Sequence, residues 1–394
     1  MRGEGSDETG GSTVFMLTRR QRRIRSNIAR RVGRFLGVSD LFTTTQELAQ
    51  QVQSLDAGLN SCKASIQRLS VPPAAPDAVP SALSSATPGE IYSGYSASDL
   101  WVFDIFSHEP PAPTPGFVTD FLGTRTRTSS LWDGVRNLNG QVMGRPVPHD
   151  LFEAVEWVGF LKAVATARDG RFAIMELGAG LGPWLVAGAV AARLRGINDL
   201  RLLGVEADPG RFALMRQHFL DNDLDPEQHR LICAAVGVEK GHARWPRITD
   251  PPNAAGFRPV REVGGGLDQG DVAYMQQAIE DFIDVEIVPF EDLLLLEPTW
   301  DLVHIDVQGW ESKLCAGCVQ ALNSRVRWMV IGTHSRAIDG EVIEALHGAG
   351  WVLEQEKPTR FRFDPAQASL ELMTEVDGVQ VWRNPRLSEN PQPP

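Results

Sequence analysis

The sequence predicts an α/β fold: a mainly parallel sheet with helices on both faces, preceded by a helical, coiled-coil-like N-terminal segment. Three observations predict it. From Phe172 onward, short apolar runs of strand length alternate with helical patterns. A turn almost without side chains, Glu176-Leu-Gly178-Ala179-Gly180-Leu-Gly182, joins the first of those runs to an apolar helix. Upstream, Val38, Leu41, Leu48, Val52, Leu55, Leu59, Cys62, Ile66 and Leu69 fall on alternating steps of three and four, with only Thr45 interrupting the seam, which is a heptad signature.

In chain order, residues 1–18 are polar and glycine-rich and read as a disordered N-terminus. They lack the basic-then-apolar order of a secretory signal. Residues 19–70 read as a basic and heptad-bearing helical segment. Eight arginines and no acid lie between Met16 and Gly37, which suits a solvated helix or, through Arg19 to Arg34, peripheral contact with an anionic membrane, or contact with a polyanionic polysaccharide or nucleic acid. The heptads over 38–69 suit a homo-oligomer or a helix packed on its own catalytic domain, with Gly58 and Asn60 weakening the helix. Residues 71–99, rich in proline, serine and alanine, form a linker. Residues 100–170 cover the sheet domain, with a helix over Leu151 to Ala165. The sheet domain occupies 171–384, and 385–394 form a disordered tail.

Within that domain the strands expected are Phe172 to Leu177, Leu202 to Glu206, Leu231 to Val236, Leu302 to Val307, Trp328 to Thr333, Trp351 to Glu354 and Val379 to Trp382. Between the third and fourth lies an insertion, Glu239 to Leu296. Its middle is punctuated by Pro251, Pro252, Gly256 and Gly264 to Gly266 and reads as a loop of the kind that forms a substrate lid. A net charge of −12 argues against nucleic acid as the main partner. No run approaches the ~20 apolar residues of a membrane span, so a cytoplasmic protein is expected. Cys315 and Cys318 have C-x-x-C spacing, but without a second pair or a nearby histidine they read as buried small hydrophobes.

The glycine turn carries chemistry. Alternate glycines tolerate positive φ and let a ligand approach main-chain N–H groups, while the helix N-terminus beyond favours a negative group. About twenty residues on, the next strand ends in Glu206, whose carboxylate suits the two hydroxyls of a ribose. A dinucleotide fingerprint requires glycine where Pro183 stands, so that spacing fails. Glu176, then G-x-G-x-G, then Glu206 resembles motif I and its follower in S-adenosylmethionine-dependent methyltransferases of the Rossmann-like class. The resemblance implies S-adenosyl-L-methionine as cofactor, held by Glu176, Gly178, Ala179, Gly180, Gly182, Glu206 and Ala207, with Ala235 and Val236 beside the adenine.

A second segment, Asp301-Leu-Val-His304-Ile-Asp306-Val-Gln308-Gly309-Trp310-Glu311, resembles the D-x-E-G-x-E signature of the FkbM family of methyltransferases. Val285 to Leu294 upstream resembles the strand and helix start that precede it, and Val330 to His334 the fifth-strand motif ending in histidine. The similarity spans roughly Phe172 to Trp382. It implies O-methylation of a hydroxyl on a sugar, glycolipid or small-molecule natural product. Gln308 stands where the family often has glutamate, and Gly332-Thr333 where an acid commonly precedes the histidine. Fewer carboxylates weaken a divalent-metal site, so no metal is expected.

Removal of a hydroxyl proton needs a base. Asp306 is the first candidate for acceptor contact and His334 for base, with Glu311 as a further candidate and His304 less favoured. The structural alternatives are a helix-capping Asp306, a dipole-favoured Glu311 and a hydrogen-bonded His334. Asp208-Pro209 reads as a helix N-cap. Rival functions are an N- or C-directed methyltransferase and a non-catalytic scaffold that binds nucleoside passively.

Overall fold

The computed structural model describes residues 94–388, except 110, 146–153, 169, 254–255, 261, 264–265, 268–280 and 368–370. The basic segment, the heptads, nearly all of the linker, the start of the covering helix and the centre of the insertion lie outside the described residues.

Seven strands form the main sheet: β1 Arg171–Leu177, β2 Asp199–Glu206, β3 Arg230–Cys233, β4 Trp300–Ile305, β5 Val326–Thr333, β6 Val352–Lys357 and β7 Gly378–Arg383. Their spatial order is β6-β7-β5-β4-β1-β2-β3. Neighbours from β3 to β5 pair parallel, whereas β7 runs antiparallel to both β5 and β6. The order is that of an open Rossmann-like sheet with one antiparallel strand slipped in before the last, and the chain reverses direction across the sheet between β1 and β4.

The helices that flank the sheet are α1 Ala154–Ala165, α2 Pro183–Leu194, α3 Pro209–Asp221, α4 Glu311–Gly317 and α5 Arg336–Gly348. Both faces of the sheet are covered, so its strands are nearly continuous apolar runs, and alternation along each strand divides the core in two. Phe172, Ile174, Leu202, Leu302, Trp328, Val330 and Val381 join α1 and α2 on one face. Ala173, Met175, Leu203, Val205, Val303, Ile305, Met329 and Ile331 meet α4 and α5 on the other. Each fully buried side chain of this kind contributes about 2 kcal/mol.

The cover is attached by aromatic packing. Trp157 of α1 lies edge-on to Phe121 at 4.9 Å and to Trp184 of α2 at 5.0 Å. A short strand pair, Phe117–Thr119 with Arg125–Arg127, docks on α3 through Thr126 and His218 at 3.3 Å and the Arg127–Asp221 ion pair. Ordered structure also reaches past both expected boundaries. Asp99, placed in the linker, pairs at 2.7 Å with the buried Lys162 of α1. Residues 385–388, placed in the tail, pack back, with Arg386 Nη2 donating to Ala349 O at 2.6 Å.

One expectation needs correction. The third strand does not run unbroken from Leu231 to Val236: β3 ends at Cys233, and Ala235–Gly237 belongs to a separate three-stranded sheet. There it lies parallel to Phe282–Pro289, which pairs antiparallel with Gly241–Pro246. The insertion is therefore framed by strands at both ends. Prolines and glycines punctuate its middle, but upstream of them His242 and Arg244 outward and Ala243 and Trp245 inward alternate as a strand must. Cys315 in α4 and Cys318 just beyond it are buried, as expected, and burial pushes the Cys318 thiol up to about 11. Among the described residues no helix is long and apolar enough to cross a membrane.

Candidate active site

The turns that follow β1, β2 and β4 are stitched together main chain to main chain. Gly178 and Ala179 N–H both donate to Val205 O, at 3.0 and 2.9 Å, and Asp306 N–H donates to Leu177 O at 2.9 Å. Gly178, Gly180 and Gly182 have φ of +73°, +61° and +68°. A Cβ on Gly178 would sit 2.0 Å from Asp306 O, so only glycine fits this crossing.

Carboxylates fix the turn from below. Glu176, ending β1, accepts from Leu185 N at 3.0 Å. It thereby caps α2, whose own N-cap residue is Gly182 and has no side chain to offer. Burial pushes the Glu176 carboxyl well above the usual range, and the charges of Asp306 and Glu206 add to the rise. Glu206, ending β2, accepts from Gly180 N at 2.7 Å and from Asp208 N at 2.8 Å. Burial raises its carboxyl too, against the lowering influence of Arg211 and these N–H groups. Asp208 caps α3 by accepting from Arg211 N at 2.8 Å, as its sequence context predicted.

The crevice above these turns is lined by Glu176, Gly178, Ala179, Gly180, Glu206, Ala207, Ala235, Val236 and Asp306, all named from the sequence. Gly182 is not at its surface; it packs toward Met215 of α3 and shapes the turn. His304 does reach the lining, with its ring 5.4 Å from that of Trp184.

The second half of the site is a chain of three side chains. Asp306 reaches the crevice with its side chain 21% exposed, and Gln308 Nε2 donates to its Oδ1 at 2.9 Å. His334, just past β5, stands behind it with Nε2 at 3.3 Å from Asp306 Oδ1 and Nδ1 at 2.7 Å from Glu311 Oε1. Glu311, fully buried at the start of α4, accepts from the backbone N–H of Val307 and of Gly309 at 3.1 Å. Neither His334 nor Glu311 lines the crevice. Among the described residues these three form the one His/Asp/Glu group close enough to hold a metal ion. The Glu311 oxygens are already engaged by two backbone N–H groups and by His334.

The far wall was not legible beforehand. Trp245, Phe257 and Arg258 of the insertion, with Trp310 after β4, complete the lining. Trp245 is buried against Ala207 and Ala235, and its Nε1 finds no acceptor among the described residues. A buried donor of this kind fits a ligand that carries the acceptor. The inward alternation of Ala243 and Trp245 was the available signal for it. Asn253 Oδ1 accepts from Asp133 N at 3.1 Å, which joins the insertion to the cover.

No family model matches the chain. A protein of Jannaschia sp. (strain CCS1) named "Putative methyltransferase" is 28% identical over 278 residues, covering 70% of this chain and 94% of that one. Among solved structures, precorrin-6y C5,15-methyltransferase of Geobacter metallireducens GS-15 aligns over 58% of this chain and 86% of its own, at 13% identity and a TM-score of 0.31. Fibrillarin of Aeropyrum pernix, in complex with natively bound S-adenosyl-L-methionine, aligns over 57% and 76%, at 12% identity and a TM-score of 0.26. Structural likeness this low carries no argument here; the Rossmann-like sheet stands on its strand order and register.

Proposed function

We propose that this chain is an S-adenosylmethionine-dependent methyltransferase that methylates a hydroxyl on a sugar, glycolipid or small-molecule natural product. The observation that carries the reading is the crevice floor: a glycine turn whose Gly180 N–H is held by Glu206, with Glu206 and the adjoining alanines facing the same space. Similarity to the Jannaschia protein supports the reaction class. The resemblance of Asp306 to Glu311 to the FkbM signature supports the acceptor class.

When bound, the cofactor supplies a methyl group already activated on a sulfonium. The main chain of Gly178 to Gly180 leaves it room, and lone pairs of Glu206 beyond those used by Gly180 and Asp208 N–H meet the ribose hydroxyls. Ala207, Ala235 and Val236 give the adenine an apolar wall. The protein's remaining work is to align the acceptor and take its proton. Asp306 is the side chain at the crevice end of β4 suited to meet that acceptor. Glu176 keeps α2 seated under the turn, and Trp310 with the insertion shields the reacting atoms from water.

Calorimetry on the full chain tests the reading: S-adenosylmethionine and S-adenosylhomocysteine bind saturably, and Glu206→Ala weakens both. Absence of binding by the wild type ends it. The segments Arg19 to Arg34 and 38–69 are assigned to attachment and assembly. Light scattering with and without residues 1–70 checks the second role, and an unchanged subunit count rejects it.

A further inference from the structure

We propose that Asp306 receives the acceptor's proton and that His334 and Glu311 are positioning residues acting behind it, so that the three form a relay from the crevice inward. The inference rests on the methyl-transfer reading above and assigns roles within the same site.

Depth in the fold sets the order of the three groups. Asp306 is the member that reaches the crevice, while His334 is 4% exposed and Glu311 is inaccessible. A hydroxyl in the crevice therefore meets the Asp306 carboxylate first, and His334 acts on it through Asp306. Glu311 is held in turn: its Oε1 accepts from Val307 N and Gly309 N, and Oε2 lies 3.1 Å from Gly309 N. These bonds fix the bend between β4 and α4, where Gln308 adopts φ +55° and Gly309 +104°. The bend turns the Gln308 side chain back onto Asp306. One buried carboxylate thus sets both the loop that carries Asp306 and the ring behind it.

A carboxylate can only accept, so Glu311 favours the proton on the His334 nitrogen that faces it, Nδ1. The contact is short but oblique to the ring N–H direction. Asp306 Oδ1 is farther, at 3.3 Å, and already accepts from Gln308, so the nearer Glu311 wins and Nε2 is the nitrogen that presents a lone pair to Asp306. During transfer the acceptor O–CH3 bond forms and the S–CH3 bond breaks, leaving its electron pair on sulfur. The acceptor's proton moves to the Asp306 carboxylate and is shared onward with Nε2, and Glu311 offsets the positive charge that gathers on the imidazole. The arrangement follows the logic of a base oriented by a buried acid, extended by one group toward the substrate.

The test needs no identified acceptor. Full-length protein labelled with 15N-histidine is saturated with S-adenosylhomocysteine, and the His334 ring signals are assigned by their loss in His334→Gln. The expected result is a proton on Nδ1 and none on Nε2, with Glu311→Gln shifting the population toward Nε2–H. A proton on Nε2 or on both nitrogens in the wild type overturns the relay. So does a Glu311→Gln protein of native circular dichroism whose tautomer is unchanged. If that variant does not fold, the wild-type tautomer decides alone. Selective broadening of the His334 signals by one equivalent of Mn2+, reversed by chelator, also overturns it in favour of a metal site. Failure of the wild type to bind S-adenosylhomocysteine removes the methyl-transfer reading itself, a result separable from every tautomer outcome.

Discussion

The two walls of the crevice are built differently. The sheet-borne wall is held by backbone: Gly178, Ala179 and Asp306 N–H groups bond across three strand ends, and Ala234 N–H bonds Glu206 O at 3.0 Å. The added wall, from the cover and the insertion, has the strand pairing of the insertion with Ala235–Gly237 but is otherwise joined by side chains, with Asn253 on Asp133 and Arg258 Nη1 at 3.5 Å from Gln308 O. Backbone bonds between packed strands leave little play, whereas side-chain contacts on connecting segments can rearrange. The rigid wall suits a constant ligand and the adjustable wall a variable one, the division expected if the first holds the cofactor and the second, apart from Trp245, meets the acceptor.

The sharpest way to break this contrast is Gly178→Ala. The added methyl meets a carbonyl oxygen at a positive φ, so a loss of about 3 kcal/mol or more and no measurable cofactor binding are expected. Near-native denaturation and affinity would show the wall to be soft.

The added wall offers a pH test at its joint with α3. Burial pushes Asp120 up to about 6, so its contribution to stability is complete below about pH 4 and is lost as pH rises through 6. Burial pushes His218 down to about 4, so its contribution is present above about 6.5 and is lost as pH falls through 4. The two slopes oppose each other. Urea midpoints of Asp120→Asn should rise between pH 4 and 6.5 by the equivalent of about 2 to 3 kcal/mol, and those of His218→Asn should fall. Curves parallel to wild type would remove both assignments.

Glu206→Ala loses an acceptor for Gly180 N–H as well as its ribose contact. Calorimetry should find cofactor affinity down by about 2 kcal/mol, or some thirtyfold. Trp245→Phe keeps the ring and removes the buried donor. A loss of about 1 kcal/mol in S-adenosylhomocysteine affinity, with unchanged thermal stability, is expected. An unchanged affinity would place the adenine elsewhere and confine the insertion to the acceptor.

The same division governs what the sequence could say. The glycine turn, Glu206 and Asp306 were readable because their roles are set within a few residues, by positive φ or by a place at a strand end. Spatial order was not readable: nothing local says that Gly378–Arg383 lies between two earlier strands. Nor does a local pattern mark Ala234 as the point where one strand becomes two. Asp306, Glu311 and His334 were named together, but their depth depends on how α4 seats against β5, which is a tertiary matter. Trp245 was overlooked because the prolines after it, Pro246, Pro251 and Pro252, draw the eye to a loop.

The break at Ala234 has a mechanical consequence. One stretch of chain leaves the edge of the large sheet and becomes a member of the small one, so any rocking of the small sheet pivots on Ala234 to Gly237. Those residues are also wall residues of the crevice. If the insertion grips the acceptor as proposed, its tilt would be felt directly in the wall proposed for the nucleoside base, and occupancy of one ligand would be geared to the fit of the other.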